Sequence, residues 1–263
     1  MSFQTPQQVF HSIAKSGTSK VQTNTLKVLL LSFLAGAYIA FGGFLAIKIG
    51  GGVPEIKASN PGLASLLFGS VFPVGLILVV LAGAELFTGN TAILIPALKN
   101  KTITYKAIAK NWGLSYLGNF VGSIFVAYFF VSFTGALDQA PWSSATISIA
   151  ENKVNQDFLS LFFKAIACNW LVCLAVWLAF SSNQVSGKIL GIWFPIMTFV
   201  ALGFEHSIAN MFFIPLGIFQ GADVTWAQFF IVNLLPVTLG NIIGGTLFVG
   251  VIYSYIYLDK TSK

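Results

Sequence analysis

Arginine is absent from this 263-residue chain, and only 8% of its residues carry charge at all. A soluble domain carries about 25% charged residues, so a water-soluble globule is excluded. The formal charge of +6 comes from lysines outnumbering eight acids. Most of those lysines lie between apolar runs, so the basic balance does not point to nucleic acid, and none is expected as a partner. Cysteine is scarce too: Cys168 and Cys173 share one apolar segment. Five positions apart on a helix, they point roughly 140° away from each other, and no disulfide framework follows. The two histidines, His11 and His206, are far apart in the chain. H-E-x-x-H, G-x-S-x-G and nucleotide-binding loops are missing. A metal site, a resident cofactor and an intramembrane enzyme are therefore not expected.

What is abundant is hydrophobic sequence, 56% of the chain. A helix needs about 20 mostly apolar residues to cross a bilayer. Runs at 28–47, 112–133, 158–180 and 229–258 qualify. The run at 58–98 holds one charge, Glu85, and is too long for one straight helix. The run at 189–214 contains Glu205 and His206. The reading is an all-α integral membrane protein with six spans, the second and fifth broken. Residues 1–27 are polar, with Thr5, Pro6 and Gln8 placed as an N-cap, a first helical proline and a capping partner. Val9, Phe10 and Ile13 make an apolar stripe, so a surface-lying amphipathic helix is expected there, and no cleavable signal. One channel domain then spans 28–258, and 259–263 form a tail. An even number of spans puts both termini on one side. Ten lysines fall on that side, against Lys48, Lys57 and Lys153 on the other, which assigns both termini to the cytoplasm. The segment 134–157 is the long outer loop, and Lys164 is intramembrane or at the outer edge of its span.

The chain also repeats. Gly83, Glu85 and Asn90 recur as Gly203, Glu205 and Asn210, and Asn119 with Gly122 recurs as Asn241 with Gly244. Three spans per repeat is odd, so the second copy, about 158–258, is inverted relative to the first, about 28–133. Gly118 with Gly122, and Gly240 with Gly244, are small-x-x-x-small pairs that let helices pack closely. Ionisable groups inside matching helix breaks mark a transport pathway. Glu85 and Glu205, with Asn90 and Asn210, are expected to support the breaks, the carboxylates accepting the orphaned backbone N–H groups.

The strings ELFTG at 85–89, KAIACNWLVC at 164–173 and GFEHSIANM at 203–211 resemble the signatures of the formate/nitrite transporter family. The likeness runs over about 26–257. It implies an aquaporin-like protomer, a homopentamer in the plasma or inner membrane, and one pore per protomer for formate, nitrite or hydrosulfide. By the same resemblance Thr88 sits on the loop that breaks the second span, and His206 is the central pore histidine on the broken fifth span. Leu86, Phe87, Val172 and Phe199 are constriction residues, Asn169 lines the pore, and Lys153 lies in a vestibule. The wording after the third motif places formate ahead of nitrite. A neutral-solute or water pore is the reading of another class, but the Asn-Pro-Ala boxes of aquaporins are missing, since Thr91 follows Asn90 and Met211 follows Asn210.

These residue types suit small weak acids. Moving a monovalent ion into low dielectric costs, ideally, of order 20 kcal/mol. Protonating a carboxylate of pKa about 4 at pH 7 costs roughly 4 kcal/mol. Neutralisation wins in a dry constriction. Lys153 and Lys164 would gather the anion. His206, whose charge changes near neutral pH, and the Thr88 hydroxyl would meet it halfway.

Overall fold

The computed structural model describes residues 3–258; the tail 259–263, with Lys260 and Lys263 of the lysine asymmetry, lies outside them. Among the described residues there is no strand, only an isolated antiparallel bridge between Phe3 and Ser182. Helix α1 (Pro6–Gln22) starts on the expected capping box. The Thr5 hydroxyl accepts the Gln8 N–H at 3.4 Å, and Gln8 Oε1 accepts the Thr5 N–H at 2.9 Å. Its apolar stripe meets protein rather than lipid, which corrects the surface-lying expectation. Val9 and Phe10 are fully buried and, with Ile13, pack against Ile93, Trp177 and Val249.

Next come α2 (Thr25–Gly50), a short α3 (Pro54–Ser59), then α4 (Pro61–Val71) and α5 (Val74–Leu81), which together form one rod over Pro61–Leu81. Helix α6 (Phe87–Lys99) follows the first break. Helix α7 (Tyr105–Phe125) runs on through a π-helical turn to Ser132. The expected outer loop is largely helical: α8 (Trp142–Val154) occupies half of it. Helix α9 is Phe158–Ser181, α10 is Val185–Ala201 and α11 is Ser207–Phe219. The last rod, Gln228–Tyr257, contains α12 (Leu235–Gly245) and α13 (Ile252–Tyr257), with π-helical turns before each. Among the described residues five rods are long and apolar enough to cross a membrane. Helices α10 and α11, which make up the broken span expected at 189–214, are each too short alone.

Both breaks have the same cause. Gly83 (φ 80°) and Gly203 (φ 69°) take the left-handed conformation that ends a helix. The next residue's N–H then turns back to a carbonyl of the last turn, Ala84 to Val79 at 2.8 Å and Phe204 to Phe199 at 3.0 Å. Chain direction is thereby reset three residues before α6 and α11 begin.

The repeats pack alike. Helix α7 lies along α2, and α12 along α9. A Cβ on Gly122 would collide with the Phe33 carbonyl, and one on Gly244 with the Ile166 carbonyl. Gly118 and Gly240 are equally closed, against Ser32 and the Phe162 carbonyl. At the C-terminal end of α2, α8 is clasped to it: Trp142 Nε1 donates to the Lys48 carbonyl at 2.9 Å, while Lys48 Nζ stands 3.4 Å above the indole. The clasp fixes the helix that carries Lys153.

Close approach at Gly122 and open space at exposed Gly113 give opposite expectations for two variants. Gly122→Val should lower the detergent-solubilised protein's stability by about 1–3 kcal/mol, since it overpacks against rigid backbone. Gly113→Ala should leave it unchanged or raise it by up to about 1 kcal/mol. Thermal unfolding of the two purified variants measures the difference.

Candidate functional site

A helix that starts inside a bilayer presents backbone N–H groups with no water to accept them. Two buried asparagines answer that at the two breaks. Asn119 Oδ1 accepts the Phe87 N–H at 2.9 Å, and Asn241 Oδ1 accepts the Ser207 N–H at 2.8 Å. Each amide then donates in two directions. Asn119 reaches the Ser32 and Glu85 carbonyls at 2.7 and 2.9 Å, and Asn241 reaches those of Ala165 and Glu205 at 2.9 and 3.0 Å. Each asparagine thus ties its break to a neighbouring helix.

This corrects the expectation for Glu85 and Glu205, whose carboxylates do not take the orphaned N–H groups. Glu85 pairs with Lys20 at 2.7 Å and accepts from Asn90 Nδ2 at 2.8 Å. Glu205 pairs with Lys153 at 2.9 and 3.0 Å and accepts from Asn210 Nδ2 at 2.7 Å. Asn90 donates onward to Asn111 at 2.9 Å, and Asn210 to Asn233 at 2.7 Å. The chains Lys20–Glu85–Asn90–Asn111 and Lys153–Glu205–Asn210–Asn233 are copies of one another. They differ in detail: Lys153 reaches both Glu205 oxygens whereas Lys20 reaches one of Glu85, and Asn210 Oδ1 is buried with no partner. Asn233 Nδ2 is held by the Lys153 carbonyl at 2.7 Å, whereas Asn111 Nδ2 is buried with no partner.

Between the chains the two breaks meet. Thr88, in the first turn of α6, and His206, the N-cap of α11, are buried, and Thr88 Oγ1 lies 2.9 Å from His206 Nε2. The tautomer follows from the other ring nitrogen. His206 Nδ1 accepts the Ala209 N–H at 3.2 Å, so Nδ1 is bare, and Nε2 carries the proton and donates to the Thr88 hydroxyl. A doubly protonated ring would set two N–H groups against each other and lose the cap. The resting geometry accommodates the neutral imidazole.

Thr88 is held from behind. Its carbonyl accepts from the Thr91 hydroxyl at 2.6 Å, Asn169 Nδ2 at 3.2 Å and the Cys173 thiol at 3.5 Å. Asn169 is fully buried and also contacts Thr91 and the Asn241 carbonyl. It positions the threonine.

A cavity of about 720 Å³ leads to His206 from the α8 side, walled by Phe72, Phe199 and Phe213, with Lys57 and Lys153 among its lining. Of the expected constriction residues only Phe199 is on this wall, its ring 5.9 Å from the His206 ring. Leu86 and Val172 are buried in the core, off the cavity. Phe87 turns toward α7, against Trp112 and Tyr116. Lys164 is away from the cavity and donates to Gln156 at 2.6 Å. Sequence reasoning missed Lys20, Lys57, Asn111 and Asn233 as parts of the site. Asn111 and Asn233 carried a legible signal, since they share the repeat offset of Asn119 and Asn241. Among the described residues no group of His, Cys, Asp and Glu is arranged to hold a metal.

The profile described as Formate/nitrite transporter matches residues 7–255. A relative from Methanothermobacter thermautotrophicus, "Probable formate transporter", is 48% identical over 98% of this chain and 99% of its own length. "Formate channel BtFdhC" of Bacillus thuringiensis is 45% identical over 100% and 99%. A solved structure described as "Pentameric formate channel with formate bound" superimposes with a TM-score of 0.79, at 33% identity, covering 89% of this chain and 98% of that one. These relatives are transporters and channels, not enzymes. With buried polar chemistry at two helix breaks and a profile match along nearly its whole length, the chain belongs to the formate/nitrite transporter family.

Proposed function

We propose that the chain is a channel for small monovalent weak-acid anions, formate first, and that the anion's charge is cancelled beside His206. The observation that carries this reading is the 2.9 Å contact of Thr88 with His206 where the two helix breaks meet. Each protomer is read as six spans in two inverted three-helix repeats, arranged as in aquaporins, the broken spans being α4–α6 and α10–α11. The pentameric state of the solved formate channel supports a homopentamer here, with one pore per protomer. The lysine asymmetry supports a plasma or inner membrane location with cytoplasmic termini. Formate stands ahead of nitrite and hydrosulfide because of the relatives' names.

The anion enters the aromatic-walled cavity, where Lys153 holds its approach electrostatically. At the floor it meets the Thr88 hydroxyl, whose oxygen accepts from the neutral His206 ring and whose own proton can be given to the anion, a donor that strengthens as water is excluded. A proton taken up from solution at pH 7 removes the charge there at a cost of roughly 4 kcal/mol, against of order 20 kcal/mol for carrying the bare ion onward. Leu86, Phe87, Val172 and Phe199 are read as the apolar collar that hydrated ions cannot pass. Asn169, Asn90, Asn210 and the two glutamates hold the collar and the polar pair in place, and Lys164 adds positive potential at the outer end.

Two outcomes follow. In proteoliposomes holding the purified chain, His206→Phe should lower formate flux by at least about tenfold, equivalent to about 1.4 kcal/mol of barrier. The same change should alter the pH profile; wild-type flux with an unchanged profile would reject the assignment. For the supporting pair, Lys153→Met should lower stability by about 3–5 kcal/mol, because it leaves Glu205 buried and unpaired. Adding Glu205→Gln should recover part of that loss in thermal unfolding. Strictly additive losses would show that the pair does not act as a unit.

A further inference from the structure

The cavity is much larger than the anion it is proposed to admit. A water molecule's share of liquid volume is about 30 Å³, and formate has only three heavy atoms, whereas the cavity measures about 720 Å³. That lies in the range, roughly 300–1,000 Å³, of pockets that take whole organic ligands. Its shape and lining are specific. Phe68, Phe72, Phe199 and Phe213 form one continuous aromatic wall. Phe72 meets Phe199 edge-on at 5.9 Å, stacks on Phe213 at 6.3 Å, and Phe213 continues to Phe68 at 6.0 Å. Such a wall offers both ring faces and ring edges to a further ring.

Positive charge is placed at the end of that wall. Lys153 Nζ lies 5.7 Å from the Phe213 ring centroid. It gives two N–H groups to Glu205, and an ammonium has three. Lys57 also lines the cavity and has no acidic partner among the described residues. The one carboxylate on the wall, Glu205, is already engaged by Lys153 and Asn210. Below, the path narrows to Phe199 and the buried Thr88–His206 contact.

We infer that this vestibule is a binding site for aromatic monocarboxylates, which lodge in it and block passage of the small anion. The carboxylate takes the free N–H of Lys153, and the ring lies along Phe68, Phe72, Phe199 and Phe213. A ring of that size cannot follow the anion past the floor, so binding plugs the entrance. The inference rests on reading the vestibule as the anion's entrance, and the experiment separates the two.

Benzoate is the probe, with benzyl alcohol as its uncharged counterpart. Calorimetry on the purified chain measures binding, and formate flux into proteoliposomes, with and without benzoate, measures block. Benzoate should bind saturably and inhibit flux, and benzyl alcohol should bind at least about tenfold more weakly, a difference of about 1.4 kcal/mol. Ser144→Trp fills the vestibule from exposed α8 surface, and Ser65→Trp fills it from α4. Each should weaken benzoate binding by at least about tenfold. Absence of saturable binding, equal affinity for benzyl alcohol, or undiminished affinity in both tryptophan variants would overturn the inference. Flux measured without benzoate reports independently on the channel reading.

Discussion

A backbone N–H that starts a helix inside a bilayer must find an acceptor, and everything at the centre of this protein depends on how that demand is met. Lipid offers none, and an unsatisfied group costs several kcal/mol. The chain breaks two helices at depth and supplies one asparagine for each break, Asn119 and Asn241. Because each asparagine also grips two carbonyls, the break cannot shift without losing three hydrogen bonds. The irregular backbone is thus held as firmly as the helices around it.

That rigidity gives the polar pair its meaning. Thr88 and His206 belong to different repeats, 118 residues apart, yet their side chains meet at 2.9 Å. The Ala209 N–H fixes which imidazole nitrogen carries the proton. The Thr91 hydroxyl, Asn169 and Cys173 fix the carbonyl of Thr88. The pair is therefore held in one arrangement, the form of preorganisation on which the proposed cancellation of charge relies. The lysine–glutamate pairs on either side are buried charges that are tolerable only because each carboxylate is also hydrogen-bonded.

Much of this was legible in the sequence. Glycines able to take positive φ, followed at fixed spacing by glutamate and asparagine, announced the breaks twice, and the glycine pairs announced the close helix contacts. What stayed hidden depended on packing. Lys20 and Glu85 are 65 residues apart, and Lys153 and Glu205 are 52 apart; neither pairing has a local signature. The carboxylates read as N–H acceptors because they flank the break, whereas the asparagines that accept those N–H groups lie a helix away. Helix α8 reads as loop in the sequence because Trp142–Val154 is short and mixed in polarity. The apolar stripe of α1 identifies a helix but does not distinguish a lipid cover from a protein one.

The most direct measurement is the charge and tautomer of His206 in lipid, read from nitrogen-15 shifts of labelled imidazole with His11→Gln removing the other histidine. With no substrate anion present, the account predicts a neutral ring with its proton on Nε2. An imidazolium, or a ring protonated on Nδ1, would contradict it, because neither can accept the Ala209 N–H while donating to Thr88.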